Sequence, residues 1–325
     1  MRHSPALAML AIVGLVGCAA RNPAAAGEAA QPRAAVAVAT PAATGHPAGC
    51  RVIGTYAGVV FYRSDAGYVS FRADVDVNTD GALQSYKTDD LGYFDHRLHT
   101  HSALNTICNG VNVRDSSGAK LYDLHTCSKL IPEFERIRSF GWIKSGENYV
   151  QFYAIPVKPG TEGHHPGEGL PCEKDGYYVS QTARAMDESR GVCDPERWID
   201  ALRIPAIVIP LDAKMKAEGV AVRDLAAVRL PGSGAWVGAI VGDTNSAAVG
   251  EGTVRLAMEL RGEETPPANY DEVKALALPA ADYVVFPGTA GLLAGLTNDD
   301  AADIAAKAAE QLLAHHLQGD TATCR

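Results

Sequence analysis

Alternation of apolar and polar residues along two stretches of the chain predicts β-strands. The first stretch, residues 52–77, reads VIGTYAGVVFYRSDAGYVSFRADVDV. The second, residues 204–260, contains the strand-like runs IPAIVIP, LAAVRL, WVGAIVGD and TVRLAMEL, with a PGSG turn at 231–234 between the second and third runs. One helix is predicted late in the chain, at residues 301–317, with Thr297 as its N-cap.

Between these stretches, residues 89–198 follow neither periodicity for long. Gly and Pro clusters interrupt them, and they contain four cysteines. We therefore expect an irregular insertion that disulfides brace. The two strand-rich stretches on either side of this insertion predict a mainly β (α+β) fold: a small closed barrel with elaborated loops and the C-terminal helix packed on its outside.

The first residues look like a targeting segment. Residues 1–17 combine a short positive start with an apolar run that is too short to span a membrane. The run ends in LVGC, which resembles the bacterial lipobox and predicts lipidation of Cys18; an ordinary signal peptide is the alternative. Residues 18–49, rich in Ala and Pro, are expected to tether a folded part at 50–325. We expect a bacterial envelope protein that contacts the membrane through its lipid only, at the outer membrane or cell surface, or a secreted one.

The remaining six cysteines agree with export, because disulfides persist in oxidising compartments. Six cysteines permit fifteen pairings. Proximity along the chain favours two local loops within the insertion and one bond that ties the two ends together: Cys108–Cys127, Cys172–Cys193 and Cys50–Cys324. No C-x-x-C motif supports a zinc ribbon or a thioredoxin-like site.

Composition and charge narrow the classes of partner. Hydrophobic residues make up 47% of the chain and charged residues 21%, which indicates a packed core. The 29 Lys and Arg against 38 Asp and Glu give a formal net charge of −9. A nucleic-acid binder gains affinity from a basic surface, so nucleic acid is excluded as a partner and neutral or cationic partners are favoured.

Two polar segments suggest a metal site that their spacing does not support. In DHRLHTH at 95–101, His96, His99 and His101 share no helix or strand face. DVNTDG at 76–81 matches half of an EF-hand loop, but Lys87 stands where that loop needs a bidentate Glu. We expect neither a metal nor a cofactor.

Acidic residues give the clearest indication of a catalytic function. The run WVGAIVGD ends at Asp243, a loop of small residues follows, and the next predicted strand starts at Glu251. A hairpin of this kind sets two carboxylates across a groove, which is the minimum equipment for hydrolysis of a glycosidic bond. Upstream, Asp74 and Asp76 share one face of a predicted strand, and Asp80 lies in the turn after it.

The segment VGDTNSAAVGEGTVRLA at 241–257 resembles the signature of glycoside hydrolase family 75, the fungal-type chitosanases. In that family a Gly-Asp-Thr-Asn segment and a Gly-Glu segment carry the two catalytic carboxylates. VDVNTDG at 75–81, IPAIVIP at 204–210 and YVVFPGTA at 283–290 are similar to further family segments in the same order. The chain departs from the family at Asn78 and Thr79, where Asp and Cys are usual, and in the length of its insertion.

The resemblance implies a double-psi-like β-barrel and an inverting endo-hydrolase that cleaves a chitosan-like glucosamine polymer. Carried over by position, the catalytic pair is Asp243 and Glu251. An anionic substrate groove is implied around them, with the substrate-binding residues Asp74, Asp76, Asp80, Thr244 and Asn245.

Analogy with related barrels makes Glu251 the expected general acid and Asp243 the expected base. On a regular strand from Glu251, Arg255 would share its face. Among the aromatic residues, Trp142, Trp198 and Trp236 are candidates for sugar-stacking platforms, although alternation turns Trp236 away from Asp243 toward the core.

Two other functions stay open at this point. One is a non-catalytic envelope lipoprotein that binds glycan, and the other is a peptidoglycan-cleaving enzyme on a related barrel. The presence of both Asp243 and Glu251 favours the glycoside hydrolase, because a binding module does not need both carboxylates.

Overall fold

The computed structural model describes residues 49–92, 98–245, 248–317 and 323–324, within a unit that spans Gly45–Arg325. The predicted signal segment, Cys18 and the tether up to residue 48 lie outside the described residues, as does His96.

Strands outnumber helices in these ranges. The described residues form fourteen strands: β1 (Cys50–Tyr56), β2 (Val59–Ser64), β3 (Val69–Asn78), β4 (Tyr86–Lys87), β5 (Val111–Arg114), β6 (Lys120–Tyr122), β7 (Tyr149–Phe152), β8 (Glu173–Lys174), β9 (Tyr177–Tyr178), β10 (Ala206–Ile209), β11 (Leu225–Arg229), β12 (Val237–Thr244), β13 (Glu251–Thr253) and β14 (Leu278–Phe286). They also form five α-helices: α1 (Cys127–Ser139), α2 (Ala213–Ala217), α3 (Val254–Arg261), α4 (Tyr270–Ala275) and α5 (Ala301–Ala314).

Six of the strands close a barrel. They pair in the order β3-β13-β10-β12-β11-β14, and β14 pairs back with β3. The pairs β3–β13 and β10–β12 are parallel and the other four are antiparallel. A hairpin of β1 and β2 extends the sheet beside β3. The predicted mainly β fold with a closed barrel is confirmed.

Apolar side chains at alternate positions of these strands fill the barrel, as the period of a β-strand requires. Three aromatic rings stack on one another in this core. The ring centroids of Phe61 and Phe71 lie 4.1 Å apart, and those of Phe71 and Tyr283 lie 4.6 Å apart. The barrel interior is therefore a packed core, and a ligand has to bind on its outer surface or at its rim.

The predicted C-terminal helix packs on the outside of the barrel. Ile304, Ala308 and Leu312 of α5 are buried against outward-facing residues of the sheet. The helix starts at Ala301 and not directly after Thr297, because Thr297 donates its N–H and hydroxyl to the side chain of Asp300 in a turn before the helix.

The predicted TVRLAMEL strand is wrong beyond its first residue. Strand β13 stops at Thr253, whose hydroxyl accepts the N–H of Leu256 and so caps helix α3. Helix-favouring residues follow as far as Gly262, which ends the helix with φ 68°. Apolar residues in this run fit either element, and the cap decides between them.

The insertion is more ordered than its sequence suggests. It forms a sheet in the order β6-β5-β7, against which α1 packs, and its strands β8 and β9 form a second small sheet with β4, which precedes the insertion, in the order β4-β9-β8. Leu130, Phe134 and Ile137 form the buried stripe of α1, at helical spacing. The expectation of an irregular segment overlooked this helix and its core.

The three predicted disulfides are confirmed: Cys50–Cys324, Cys108–Cys127 and Cys172–Cys193. Such bonds fit a protein outside the cytoplasm. Within the described ranges, no helix has the length and apolarity to cross a membrane.

Candidate active site

A row of paired residues crosses four neighbouring strands at one end of the barrel. Val208 of β10 is the register partner of Asp243 on β12 and also of Glu251 on β13. Glu251 is in turn the partner of Asp76 on β3. Paired residues of adjacent strands project to the same face of a sheet, so this register brings three carboxyl groups to one surface.

The predicted hairpin between the two catalytic candidates is wrong, because β10 lies between β12 and β13. The carboxylates nevertheless face one another across Val208. Neighbouring strands lie about 4.8 Å apart, which puts the backbones of Asp243 and Glu251 roughly 9.5 Å apart.

An irregularity in β12 turns Asp243 to this surface. The register shifts between the pair Ile207–Val241 and the pair Val208–Asp243, so Gly242 is an extra residue on β12. Val241 is buried in the barrel core, and strict alternation would turn Asp243 to the same side. β-bulges re-aim side chains in this way and are frequent beside active sites.

Two side-chain amides hold the carboxylate of Glu251. Asn78 donates from Nδ2 to Oε2 at 3.1 Å, and Asn245 donates from Nδ2 to Oε1 at 2.8 Å. Each carboxylate oxygen thus has one fixed partner. Asn78 differs from the Asp that is usual in the family that the sequence resembles, and in this chain it fixes one oxygen of the Glu251 carboxylate.

Gly250 fixes the backbone immediately before Glu251. Its φ is +97°, and a Cβ there would lie 2.6 Å from the carbonyl oxygen of Asp74. Its own carbonyl accepts the N–H of Asp76 at 2.8 Å. A side chain at this position would push β13 away from β3 and move Glu251.

The environment of Asp243 favours a protonated carboxyl. Its Oδ1 accepts the backbone N–H groups of Ala183 at 2.9 Å and Thr244 at 2.7 Å, and Oδ2 accepts no hydrogen bond from the described residues. Burial raises the pKa of Asp243 to about 6, with a smaller contribution from the charge of Glu251, although the two N–H bonds oppose the shift. A raised pKa beside a second carboxylate is the arrangement expected of a general acid and its partner.

A third acidic group, Asp80, lies in a turn that Asn78 organises. The N–H of Asp80 donates to Oδ1 of Asn78 at 2.7 Å, and Oδ1 of Asp80 accepts the hydroxyls of Tyr86 at 2.7 Å and Ser180 at 3.3 Å. Burial, with a smaller contribution from the charge of Asp243, raises the pKa of Asp80 to about 8, while the two hydroxyl bonds lower it. At neutral pH most of this carboxyl is therefore protonated.

These groups line a cleft of about 830 Å³. Six of the predicted site residues contribute to it: Asp76, Asp80, Asp243, Thr244, Asn245 and Glu251. Asp74 is not among the residues that line the cleft, and its expected contact with substrate stays a prediction. It shares the exposed face of β3 with Asp76 but lies two residues earlier, beside Gly250.

The insertion and α4 provide a second wall, which sequence reasoning missed. From the insertion come Asn105, Asn109, Tyr153, Gln181, Thr182 and Ala183, and Tyr270 and Lys274 come from α4. No motif marks these residues, because their place depends on how the insertion folds back onto the barrel. The N–H of Ala183 on Asp243 ties this wall directly to a catalytic candidate.

The tryptophans considered as sugar platforms do not line the cleft. Trp142 and Trp198 are each 8% exposed and belong to cores of the insertion. Trp236 packs on the barrel side with the guanidinium of Arg229 4.5 Å from its ring centroid. The aromatic residues that do line the cleft are Tyr153 and Tyr270.

Two further residues of the sequence analysis, Arg255 and His99, are paired with acidic side chains. Arg255 lies on α3 and pairs with Glu259 at 2.6 Å, so it does not share a strand face with Glu251. His99 pairs with Asp271 at 2.6 Å. No group of three or more His, Cys, Asp or Glu side chains in the described residues is arranged to hold a metal ion.

A scan against models of protein families and a search of curated proteins both give no match to this chain. Its function is therefore inferred from the residues of the cleft.

Proposed function

We propose that this protein is an endo-acting glycoside hydrolase of the chitosanase type, related to glycoside hydrolase family 75. The observation that carries the proposal is the common register of Asp243 and Glu251 with Val208, which sets two carboxyl groups on either side of one strand in an open cleft. An acid and a base in this arrangement are what hydrolysis of a glycosidic bond requires.

Asp243 is the better candidate for the general acid, the reverse of the expected assignment. An acid must hold its proton near the working pH, and burial gives Asp243 a pKa of about 6. In the reaction its proton passes to the glycosidic oxygen while the bond from that oxygen to the anomeric carbon breaks. The leaving sugar departs as an alcohol, and Asp243 is left ionised.

Glu251 acts as the base in the same step. Its carboxylate takes a proton from a water molecule as the water oxygen attacks the anomeric carbon from the opposite side. The amides of Asn78 and Asn245 hold both carboxylate oxygens for this task. Exchange with solvent afterwards returns a proton to Asp243 and removes one from Glu251.

The separation of the two groups supports inversion of configuration. Backbones two strand spacings apart, roughly 9.5 Å, leave room for a water molecule between the side chains. Inverting enzymes need carboxyl groups about 6.5–9.5 Å apart, whereas retaining enzymes need about 5–5.5 Å.

The charge of the cleft supports a cationic glucosamine polymer as substrate. Its described lining includes four acidic residues and a single cationic one, Lys274, which is paired with Asp271 at 2.6 Å. Because most of Asp80 is protonated at neutral pH and Asp243 has to hold its proton as the acid, the attraction comes mainly from Asp76 and Glu251. The polymer would bind with its ammonium groups toward Asp76.

The disulfides and the LVGC segment support a place in the bacterial envelope. In this proposal the protein is anchored through a lipid on Cys18, the Ala- and Pro-rich tether separates the cleft from the membrane, and the lipid is its only membrane contact.

Reducing ends released from a panel of glycans test the proposal. The panel contains chitosan, chitin oligomers, peptidoglycan and a soluble cellulose derivative, each incubated with wild type, Asp243→Asn and Glu251→Gln. Cleavage of chitosan by wild type and by neither variant is the expected result. Cleavage of peptidoglycan alone would make peptidoglycan, and not chitosan, the substrate. Cleavage of none of the glycans would overturn the proposal that the protein is an enzyme.

A further inference from the structure

Among the described residues, Tyr153 is the one exposed large hydrophobic side chain that lines the cleft. Among the described residues, six large hydrophobic side chains are exposed: Val52, Leu121, Ile143, Tyr153, Leu292 and Leu313. Tyr153 is 47% exposed, is the only aromatic residue of the six, and is the only one that lines the cleft. An exposed aromatic side chain in a concave site points to a ligand with an apolar face.

The backbone around Tyr153 is fixed, so its ring is presented from a rigid base. The neighbours Phe152 and Ala154 are buried in the core of the insertion. The N–H groups of Tyr153 and Ala154 both donate to the carbonyl of Gly110, at 3.1 and 3.2 Å. Nε2 of Gln181 donates to the carbonyl of Tyr153 at 2.8 Å. Little conformational entropy is lost when such a ring meets a ligand.

The same segment links Tyr153 to the catalytic candidates. Gln181 holds the carbonyl of Tyr153, and Ala183, two residues later, donates its N–H to Asp243. Two residues span at most about 7 Å of chain. The hydroxyl of Tyr153 has no hydrogen-bond partner among the described residues, and burial, with a smaller contribution from the charge of Asp80, raises the pKa of this hydroxyl.

From this geometry we infer that Tyr153 forms a sugar-binding subsite of the cleft, on which the apolar C–H face of a sugar unit adjoining the cleavage point stacks. The inference rests on the proposed glycan-cleaving function and gives the insertion a role in it. A pyranose ring in a β-linked glucosamine polymer has axial C–H groups on each face and polar groups around its rim. Tyr153 offers a flat apolar surface for one of these faces, and its hydroxyl and the amide of Gln181 suit the rim.

Oligosaccharide binding to an inactive protein tests the subsite apart from catalysis. The full chain carrying Glu251→Gln is titrated with a glucosamine hexamer and a chitin hexamer by calorimetry, with and without Tyr153→Ala. Loss of the ring is expected to weaken binding roughly three- to tenfold. Tyr153→Phe keeps the ring and is expected to bind within about twofold of the parent. Leu121→Ala, on the same insertion and also exposed but outside the cleft lining, is the matched control and should change nothing.

The outcomes separate the subsite from the proposed function. Equal affinity with and without Tyr153→Ala would overturn the subsite while leaving the hydrolase in place. An equal loss in Tyr153→Phe would also overturn it, because the contact would then belong to the hydroxyl and not to the ring face. Failure of the inactive protein to bind any glycan, together with no cleavage by wild type, would overturn both. In the active enzyme, Tyr153→Ala should raise KM by the same factor and leave kcat within about threefold.

Discussion

Replacing Asp243 by Asn should make the protein more stable while it removes the activity. The Asn side chain has the same shape, and its Oδ1 can still accept the N–H groups of Ala183 and Thr244. The substitution removes the negative charge of Asp243, which burial and the charge of Glu251 make unfavourable in the folded state. An ionisable group that costs stability at the surface of a cleft is typical of a functional site.

The magnitude follows from the shift in the pKa of Asp243, from 3.8 to about 6. One pKa unit corresponds to about 1.4 kcal/mol, so the shift is worth about 3 kcal/mol in the free energy of unfolding. Below pH 4 both folded and unfolded states hold the proton, and wild type and variant should differ little. Between about pH 4 and 6 the carboxyl of Asp243 loses its proton in the unfolded state of wild type but keeps it in the folded state. The free energy of unfolding of Asp243→Asn therefore rises relative to that of wild type over this range, and the difference levels off above about pH 7.

Denaturant unfolding at pH 4 and pH 7.5, with the disulfides intact, measures this difference. Asp187→Asn is the control, because Asp187 is partly exposed and its pKa is lowered by hydrogen bonds from Ser189. That variant should be no more stable than wild type at pH 7.5. Equal stability of Asp243→Asn and wild type at pH 7.5, or a gain of the same size at pH 4, would refute the electrostatic account of Asp243.

Four further outcomes follow from the same structure. Glu251→Gln should lower kcat on chitosan at least about a hundredfold with an unchanged circular dichroism spectrum; activity within tenfold of wild type would remove Glu251 from the catalytic pair. Gly250→Ala should destabilise the fold by about 1–3 kcal/mol in denaturant unfolding and reduce activity, because φ is +97° and Asp74 blocks a Cβ; a fully active, equally stable variant would show that this turn does not position Glu251. Joint replacement of Cys108 and Cys127 by Ser should cost about 3 kcal/mol and raise KM through loss of the cleft wall; unaltered KM would mean that the insertion does not contribute to substrate binding. Cys18→Ser should move the protein from the membrane fraction to the soluble fraction or leave it unprocessed; normal membrane partitioning would contradict lipid anchoring.

Much of the fold could be predicted from local patterns. The runs around Ile207, Leu225 and Val241 alternate or are continuously apolar, and each forms a barrel strand. The three disulfides agree with the pairing predicted from proximity along the chain, since the two local pairs close short loops. Patterns of this kind depend on near neighbours in sequence.

The errors lie where distant parts of the chain decide the structure. The β-strand order places β10 between Asp243 and Glu251, and no pattern within 241–257 reveals the intervening strand. Tyr153 enters the cleft because the insertion folds back on the barrel, which local periodicity does not specify. The proposal that Asp243 is the acid rests on burial of its carboxyl, which only the assembled cleft produces.

The anomeric configuration of the first product tests the central claim most directly. Proton NMR spectra recorded during the first minutes of cleavage of a glucosamine hexamer by wild type separate the α- and β-anomers of the new reducing end. Two carboxyl groups on either side of β10 predict inversion, so the β-linked substrate should first give the α-anomer, and Asp243→Asn and Glu251→Gln should give no product. A β-anomer formed first would contradict the inverting pair, and the absence of any new reducing end with wild type would contradict the assignment of this cleft to glycoside hydrolysis.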